Sequence, residues 1–265
     1  MSSKALVFAA LLPIVAPAHA EVTLFAAGSL QGALREIDAA FTARTGIAVH
    51  AEFGPAGMMR ERIEHGAHAD VFASADMKQP RALLAQGRAE SVIRFTGNRL
   101  CAMGAPALKL TSANLLDKAL DPALKLGTST PGSDPAGDYT WAMFARAEAQ
   151  RPGAEARLKA KALSLVGGPA AVAIPAGKSA IPYLLASGQA DLFIAYCTTA
   201  RQAMREGVAL SVAELPATLA PGADYGLTVI GKDSPEAARL ALYLLSEPAQ
   251  AILQRWGFEP LGGSR

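Results

Sequence analysis

Short apolar segments alternate with helical patterns along the chain, and this alternation limits the available folds more than any other feature of the sequence. The run Val22 to Ala27 is apolar enough for a buried strand, and spacings of three and four then indicate a helix over Leu30 to Thr45. The same order returns with a strand at Ile47 to Phe53 and a helix at Met58 to His65. The pattern predicts an α/β fold whose parallel sheets carry helices on both faces.

The second half of the chain repeats this pattern. Further strands are expected at Leu100 to Met103, Leu124 to Thr128, Ala171 to Ile174, Leu192 to Tyr196 and Leu227 to Ile230. Helices are expected to follow most of them, and the last two begin near Pro235 and Pro248, where a first-turn proline is tolerated.

Turns made of small residues stand where several of these strands end and a helix begins. Ser29 occupies the N-cap position of the first helix, and glycine-containing turns precede the helices near Met58 and Tyr139. Helix N-termini offer free N–H groups and a partial positive charge, so turns of this kind suit an anion. A serine that only caps its helix is the simpler alternative for Ser29 alone, whereas several such turns indicate a shared cleft.

Composition excludes some classes of protein. Hydrophobic residues make up 51% of the chain and charged residues 18%, which is enough apolar material for a sizeable core and excludes a disordered chain. The formal net charge is +2, with no long run of one sign, so neither a nucleic-acid partner nor a basic membrane patch is expected.

The first 20 residues read as a targeting segment. Lys4 precedes the apolar run Ala5 to Ala16, and Ala18-His19-Ala20 supplies small residues before a cleavage point at Glu21. We therefore predict a signal peptide over residues 1–20 and a protein of the bacterial envelope or exterior. The sequence contains Cys101 and Cys197, which an oxidising compartment would allow to pair.

Several stretches in the same order resemble the periplasmic molybdate-binding proteins of ABC importers. The matching stretches are Phe25 to Leu30, Gly66 to Asp76, Pro135 to Gly137 with Tyr139, Ile194 to Tyr196 and Gln254 to Phe258. The resemblance implies a two-lobed type II binding protein in which each lobe is a mostly parallel sheet flanked by helices. Lobe I would take residues 21–99 and 226–265, and lobe II residues 100–225.

The resemblance also implies a site and a function. The ligand would be a tetrahedral oxyanion such as molybdate or tungstate, held by neutral donors without any further cofactor. The implied ligand-binding residues are Ser29, Ala56, Gly57, Ala136, Lys178 and Tyr196. A monomer that delivers its ligand to an ABC permease in the inner membrane is expected.

Two of these positions depart from the family pattern. Ala56 stands where the family has a second serine, and Lys178 stands where it more often has an apolar residue. A lysine supplies a mobile charge with three donors, so the alternative ligand is a different anion, such as a sulfate-like ion, a phosphonate or a carboxylate. Lys178 is expected to reach that ligand from lobe II, opposite Ala56.

An enzyme is the competing class, with Ser29 or Cys197 as the nucleophile of a hydrolase. No Gly-x-Ser-x-Gly motif surrounds Ser29, and no base accompanies either residue nearby in the sequence, although a base distant in sequence stays open. His65 and His68 lack the further ligands that a metal site needs. The expectation is therefore a binding protein with no catalytic residues and no metal ligands.

The resemblance has one consequence for the cysteines. In the family, the strand that enters lobe II lies antiparallel to the strand that ends at the binding tyrosine. Cys101 lies near the start of the first strand, and Cys197 directly follows Tyr196. We therefore predict a disulfide between Cys101 and Cys197, with two separately buried thiols as the alternative.

Overall fold

The computed structural model describes residues 20–175, 178–231 and 234–261, and these residues form two sheets with helices packed against each. All of the predicted signal peptide except Ala20 lies outside the described residues. The strands are β1 (Glu21–Ala27), β2 (Ala48–Gly54), β3 (Val71–Ser74), β4 (Ile93–Asn98), β5 (Leu100–Gly104), β6 (Leu126–Ser129), β7 (Leu163–Val166), β8 (Leu192–Tyr196), β9 (Ser211–Glu214) and β10 (Ala223–Val229). The helices are α1 (Gln31–Thr45), α2 (Ala56–Glu64), α3 (Lys78–Ala85), α4 (Leu115–Leu120), α5 (Pro135–Gln150), α6 (Ala154–Lys161), α7 (Ala180–Ala186), α8 (Cys197–Arg205), α9 (Pro235–Leu244) and α10 (Glu247–Trp256).

Lobe I is built on the sheet β2-β1-β3-β10-β4. Strand β1 lies parallel to β2 and β3, and β10 lies antiparallel to β3 and β4. Helices α1, α2, α3, α9 and α10 pack around this sheet. The central strands β1 and β3 are buried along most of their length, which explains why they read as continuous apolar runs rather than as alternating patterns.

Lobe II is built on the sheet β7-β6-β8-β5-β9. Strand β6 lies parallel to β7 and β8, whereas β5 lies antiparallel to β8 and β9. One apolar cluster, which includes Phe144 and Leu158, packs below helices α4, α5 and α6. A second cluster, which includes Phe193 and Leu184, packs on the side of α7 and α8. The sheet is thus covered on both faces.

The chain crosses between the lobes twice among the described residues. Strand β4 ends at Asn98 in lobe I, and β5 begins at Leu100 in lobe II. The chain returns after β9, and β10 brings it back into the first sheet from Ala223 onward. The predicted two-lobed α/β architecture is confirmed, while the lobe boundaries at residues 99/100 and 225/226 stay predictions. Because Ala223–Val229 forms β10 in the sheet of lobe I, Tyr225 is assigned to lobe I below.

The predicted strand over Ala171 to Ile174 is wrong. Residues 171–175 have no regular secondary structure, and β7, which the sequence did not predict, takes the edge position beside β6. The amide of Val172 donates to the carbonyl of Leu165 at 3.0 Å, so the segment folds back against β7. Gly167 and Gly168 make this return with positive φ angles of 61° and 149°. A short apolar run alone does not distinguish a strand from such a returning segment.

The described part of the chain contains no helix with the length and apolar character that crossing a membrane requires.

Candidate functional site

A cavity of about 590 Å³ lies between the two lobes. Its walls include the start of α1 and the turn before α2 in lobe I, and the starts of α5, α7 and α8 in lobe II. Of the predicted ligand-binding residues, those that line this cavity are Ser29, Ala56, Ala136, Lys178 and Tyr196. The structure therefore brings together residues that lie up to 167 positions apart, between Ser29 and Tyr196.

Gly57, the remaining predicted residue, contacts lobe II directly. Its N–H donates to the carbonyl of Ser133 at 3.0 Å. A Cβ atom at this position would lie 2.6 Å from the carbonyl oxygens of Gly132 and Ser133, so only glycine allows the two backbones to approach this closely. In the structure this donor joins the lobes at the edge of the cleft.

Ser29 does not cap helix α1, contrary to the sequence-based prediction. Residues Gly28–Leu30 form a 3₁₀ turn before α1, and the Ser29 side chain makes no capping bond to either helix. The Ser29 hydroxyl instead lies 2.8 Å from the hydroxyl of Tyr225. The extra turn moves the helix start past Ser29, so its hydroxyl bonds to Tyr225 instead of capping α1.

Tyr225 belongs to a hydrogen-bond network that the sequence analysis missed. The amide nitrogen of Asn98 donates to the Tyr225 hydroxyl at 3.0 Å and to the Thr198 hydroxyl at 2.8 Å. Tyr225 is fully buried, and burial raises the pKa of its hydroxyl far above the ordinary value. Its phenol therefore stays neutral and holds Ser29 in place.

Tyr196 ends strand β8 and is buried at the junction of the lobes. Its hydroxyl donates to the carbonyl of Ala75 in lobe I at 3.3 Å. Its ring stands edge-on to the rings of Tyr139 and Tyr225, with centroids 6.4 and 5.5 Å away. Burial raises the pKa of Tyr196 well above the usual value, so this hydroxyl is a neutral donor.

The N–H of Ala136 already has a partner inside the protein. It donates to the carboxylate of Asp134, the N-cap residue of α5, at 3.0 Å. Asp134 itself lines the cavity, and burial raises the pKa of its carboxyl to about 6. Sequence reasoning missed this side chain, although an Asp-Pro pair at a helix start was a visible capping signal.

Lys178 and Ala56 line the same cavity from lobe II and lobe I. Ala56 is 1% exposed and contributes no polar side-chain atom. Lys178 is exposed, and its backbone N–H donates to the backbone carbonyl of Pro175 at 3.1 Å. Contact of Lys178 with a ligand opposite Ala56 stays a prediction.

The structure contains the Cys101–Cys197 disulfide, with Cα atoms 4.9 Å apart. Strands β5 and β8 are antiparallel as expected. Leu100 lies opposite Tyr196 in their register, which brings the neighbouring Cys101 and Cys197 close together. The bond fixes the start of α8, which forms part of the cleft wall. It also removes Cys197 as a thiol nucleophile.

The side chains that commonly bind metal ions stand apart from one another in the described residues. In the described residues, no group of three or more His, Cys, Asp or Glu side chains is arranged to hold a metal ion. His65 lies 2.7 Å from the carbonyl of Glu61, and His68 lies 3.5 Å from the carboxylate of Asp70.

Comparison with known proteins adds to this description. A family model described as bacterial extracellular solute-binding protein matches residues 22–259. An uncharacterized protein of Pasteurella multocida (strain Pm70), PM1146, is 36% identical over 239 residues, which are 89% of this chain and 98% of that protein.

Solved structures share the fold. The periplasmic molybdate-binding protein of Azotobacter vinelandii has a TM-score of 0.73 at 22% identity, covering 89% of this chain and 98% of its own. The sulfate-binding protein SubI from Mycobacterium tuberculosis H37Rv has a TM-score of 0.74 at 17% identity, covering 92% and 88%. The fold is thus that of a two-lobed type II periplasmic binding protein.

Proposed function

Because the chain belongs to the family of bacterial extracellular solute-binding proteins, we propose that it captures a tetrahedral oxyanion, such as molybdate or tungstate, in the cleft between its lobes. The observation that carries this proposal is the placement of two neutral hydroxyl groups, Ser29 from lobe I and Tyr196 from lobe II, around one cavity. The start of α5 lines the same cavity with Ala136, whose N–H donates to the Asp134 carboxylate in the structure and is the backbone donor that we assign to the anion.

Neutral donors suit such a ligand. Hydrogen bonds to a charged acceptor are about twice as strong as those between neutral groups, and a dehydrated cleft strengthens them further. Because the raised pKa values of Tyr196 and Tyr225 keep both phenols protonated, the donor set does not lose protons in the neutral range. Two relatives of the fold are named as molybdate-binding and sulfate-binding proteins, which is consistent with an oxyanion.

In this proposal the two lobes close on the anion by a hinge movement at the two crossovers. The protein acts as a monomer in the periplasm and presents the closed form to an ABC permease in the inner membrane. It has no catalytic residues and requires no cofactor. The disulfide at Cys197 and the bond between Ser29 and Tyr225 leave neither predicted nucleophile paired with a base among the described contacts.

A second candidate is a different anion, such as a sulfate-like ion, a phosphonate or a carboxylate. Lys178 lines the cavity, and Ala56 removes a polar atom from the opposite wall. The volume of about 590 Å³ falls in the range of pockets for small organic ligands, about 300–1,000 Å³. A larger anion that reaches Lys178 would use this space.

Isothermal titration with a panel of oxyanions, phosphonates and carboxylates distinguishes the candidates. For the preferred ligand, Ser29→Ala and Tyr196→Phe should each weaken binding by about 1.5–3 kcal/mol, because each removes one hydrogen bond to a charged group. Ser112→Ala and Tyr243→Phe make the same chemical changes outside the cavity and serve as matched controls.

Unchanged affinity in both Ser29→Ala and Tyr196→Phe would refute the site. Tightest binding of a carboxylate or phosphonate would favour the second candidate over molybdate. No binding of any anion in the panel would refute the proposed function.

A further inference from the structure

Asp134 is an acidic side chain placed in the wall of a cavity that we assign to an anion. It follows a loop of lobe II and caps helix α5. A Cβ atom on Gly167 would lie 3.0 Å from both the Cβ of Asp134 and the Cγ of Pro55 in lobe I. Asp134 and Pro55 therefore pack closely around Gly167 where the two lobes meet.

The Asp134 carboxylate competes with a ligand for the same donor. One of its oxygens accepts the Ala136 N–H at 3.0 Å, and this N–H is the backbone donor expected to bind the anion. An anion oxygen that approaches the Ala136 N–H therefore also approaches the carboxylate. Two negatively charged oxygens that approach the same N–H group lie close together. They therefore repel each other unless a proton lies between them.

Among the described residues, none of the main effects on the pKa of Asp134 comes from a cation, although Lys178 lines the same cavity. Asp138 on α5 and Asp76 after β3 face it and raise its pKa further, in addition to burial. Tyr196 on β8 is neutral, and Lys78 on α3 is directed to Asp138, 3.6 Å away. The Ala136 N–H and the Ser129 hydroxyl act in the opposite direction. The result is a pKa of about 6, close to neutrality.

We propose that Asp134 is a specificity-determining residue that shares one proton with the bound anion. This inference rests on the proposed function and adds that the anion is bound with one proton at the Asp134 carboxylate. A fully deprotonated dianion, such as molybdate or sulfate, is bound together with one proton taken up from water. An oxyanion that brings its own proton, such as hydrogen phosphate or a hydrogen phosphonate, donates that proton to the carboxylate and needs no uptake.

The pH dependence follows from linkage. Below a pH of about 6 the Asp134 carboxyl already carries the proton, so molybdate affinity changes little there. Above it, each pH unit should weaken molybdate binding about tenfold, or about 100-fold over two units. Phosphate, which keeps a proton at pH 8, should show a much flatter profile.

Titration calorimetry on the whole protein tests this with molybdate and inorganic phosphate at several pH values. Repeating each titration in buffers of different ionisation heat measures how many protons the protein takes up with the anion. This measurement is made on the unmodified protein and needs no variant. Asp134→Asn keeps a capping side chain and should bind molybdate with a flat pH profile and no proton uptake. Asp38→Asn removes a buried carboxyl with a pKa of about 7 outside the cleft cavity and is the control.

Uptake of one proton with molybdate, lost in Asp134→Asn and kept in Asp38→Asn, would support the inference. A flat pH profile for molybdate in the unmodified protein, or a wild-type slope in Asp134→Asn, would overturn it while the oxyanion function stands. No binding of either anion at any pH would overturn the inference, and the proposed function would fall with it only if every anion of the wider panel also failed to bind.

Discussion

Lobe I holds its side of the cleft through neutral hydrogen bonds, whereas lobe II holds its side through a disulfide and a capping carboxylate. In lobe I, the hydroxyls of Ser29 and Tyr225 are hydrogen-bonded to each other. Asn98 donates both to Tyr225 and to Thr198 of α8, and so connects this pair to lobe II. In lobe II, the Cys101–Cys197 bond fixes the start of α8, and Asp134 fixes the start of α5. One wall has donors that keep their protons, and the other has a group that titrates near neutrality.

This difference assigns separate roles to the two walls. Lobe I provides a constant surface, since the pKa of Tyr225 lies far above any physiological pH. Lobe II provides the variable element, because Asp134 changes charge at a pH of about 6. We infer that affinity depends on both lobes, while discrimination between anions depends mainly on lobe II.

The largest effect is expected from removing the covalent bond of lobe II. The Cys101→Ser/Cys197→Ser double variant should lose about 2–5 kcal/mol of unfolding free energy, because the bond closes a long loop, with a sequence separation of 96 between the cysteines. Denaturant unfolding followed by circular dichroism measures the loss. Reductant should lower the midpoint of the unmodified protein and leave that of the double variant unchanged. Equal midpoints for both proteins without reductant would show that the bond does not stabilise lobe II.

A smaller effect is expected in lobe I from Tyr225→Phe. The change keeps the buried ring and removes the hydroxyl that bonds to Ser29 and accepts from Asn98. We expect a loss of about 1–3 kcal/mol of unfolding free energy, because Asn98 and Ser29 lose a buried partner. Urea unfolding measures it, and Tyr243→Phe in the same lobe, whose ring is only half-buried, is the control. A midpoint equal to that of the control would mean that the network does not hold this wall.

The alternation of strands and helices was predictable because its signals are local. The apolar spacing of α1 and the prolines that start α9 and α10 place these helices close to their observed bounds. Edge elements were harder to predict. β7 and β9 are short and only partly buried, so their sequences carry little apolar contrast.

The site residues, too, were predictable only where their sequence signals are local. Ser29, Ala136 and Tyr196 stand in recognisable turns or motifs, and the structure places them around one cavity. Tyr225 lies inside a strand and carries no local signal, because its role depends on residues 196 positions and 127 positions away in the sequence. The capping role of Asp134 has a local sequence signal, whereas its place in the cleft wall depends on how the two lobes come together.

The smallest effect is expected from the ion pair that joins the two walls. Lys78 in lobe I lies 3.6 Å from Asp138 in lobe II, with side chains 69% and 32% exposed, so the pair should contribute at most about 1 kcal/mol. Lys78→Gln leaves Asp138 near Asp134 and Asp76 without this cation, so closure on an anion becomes slightly less favourable. Anion affinity should therefore fall up to about fivefold at low salt and approach that of the unmodified protein at high salt, where the charges are screened. Arg81→Gln removes a positive charge from the same helix and controls for net charge. An equal loss in Arg81→Gln, or a loss that persists at high salt, would show that the lobes do not use this pair to close.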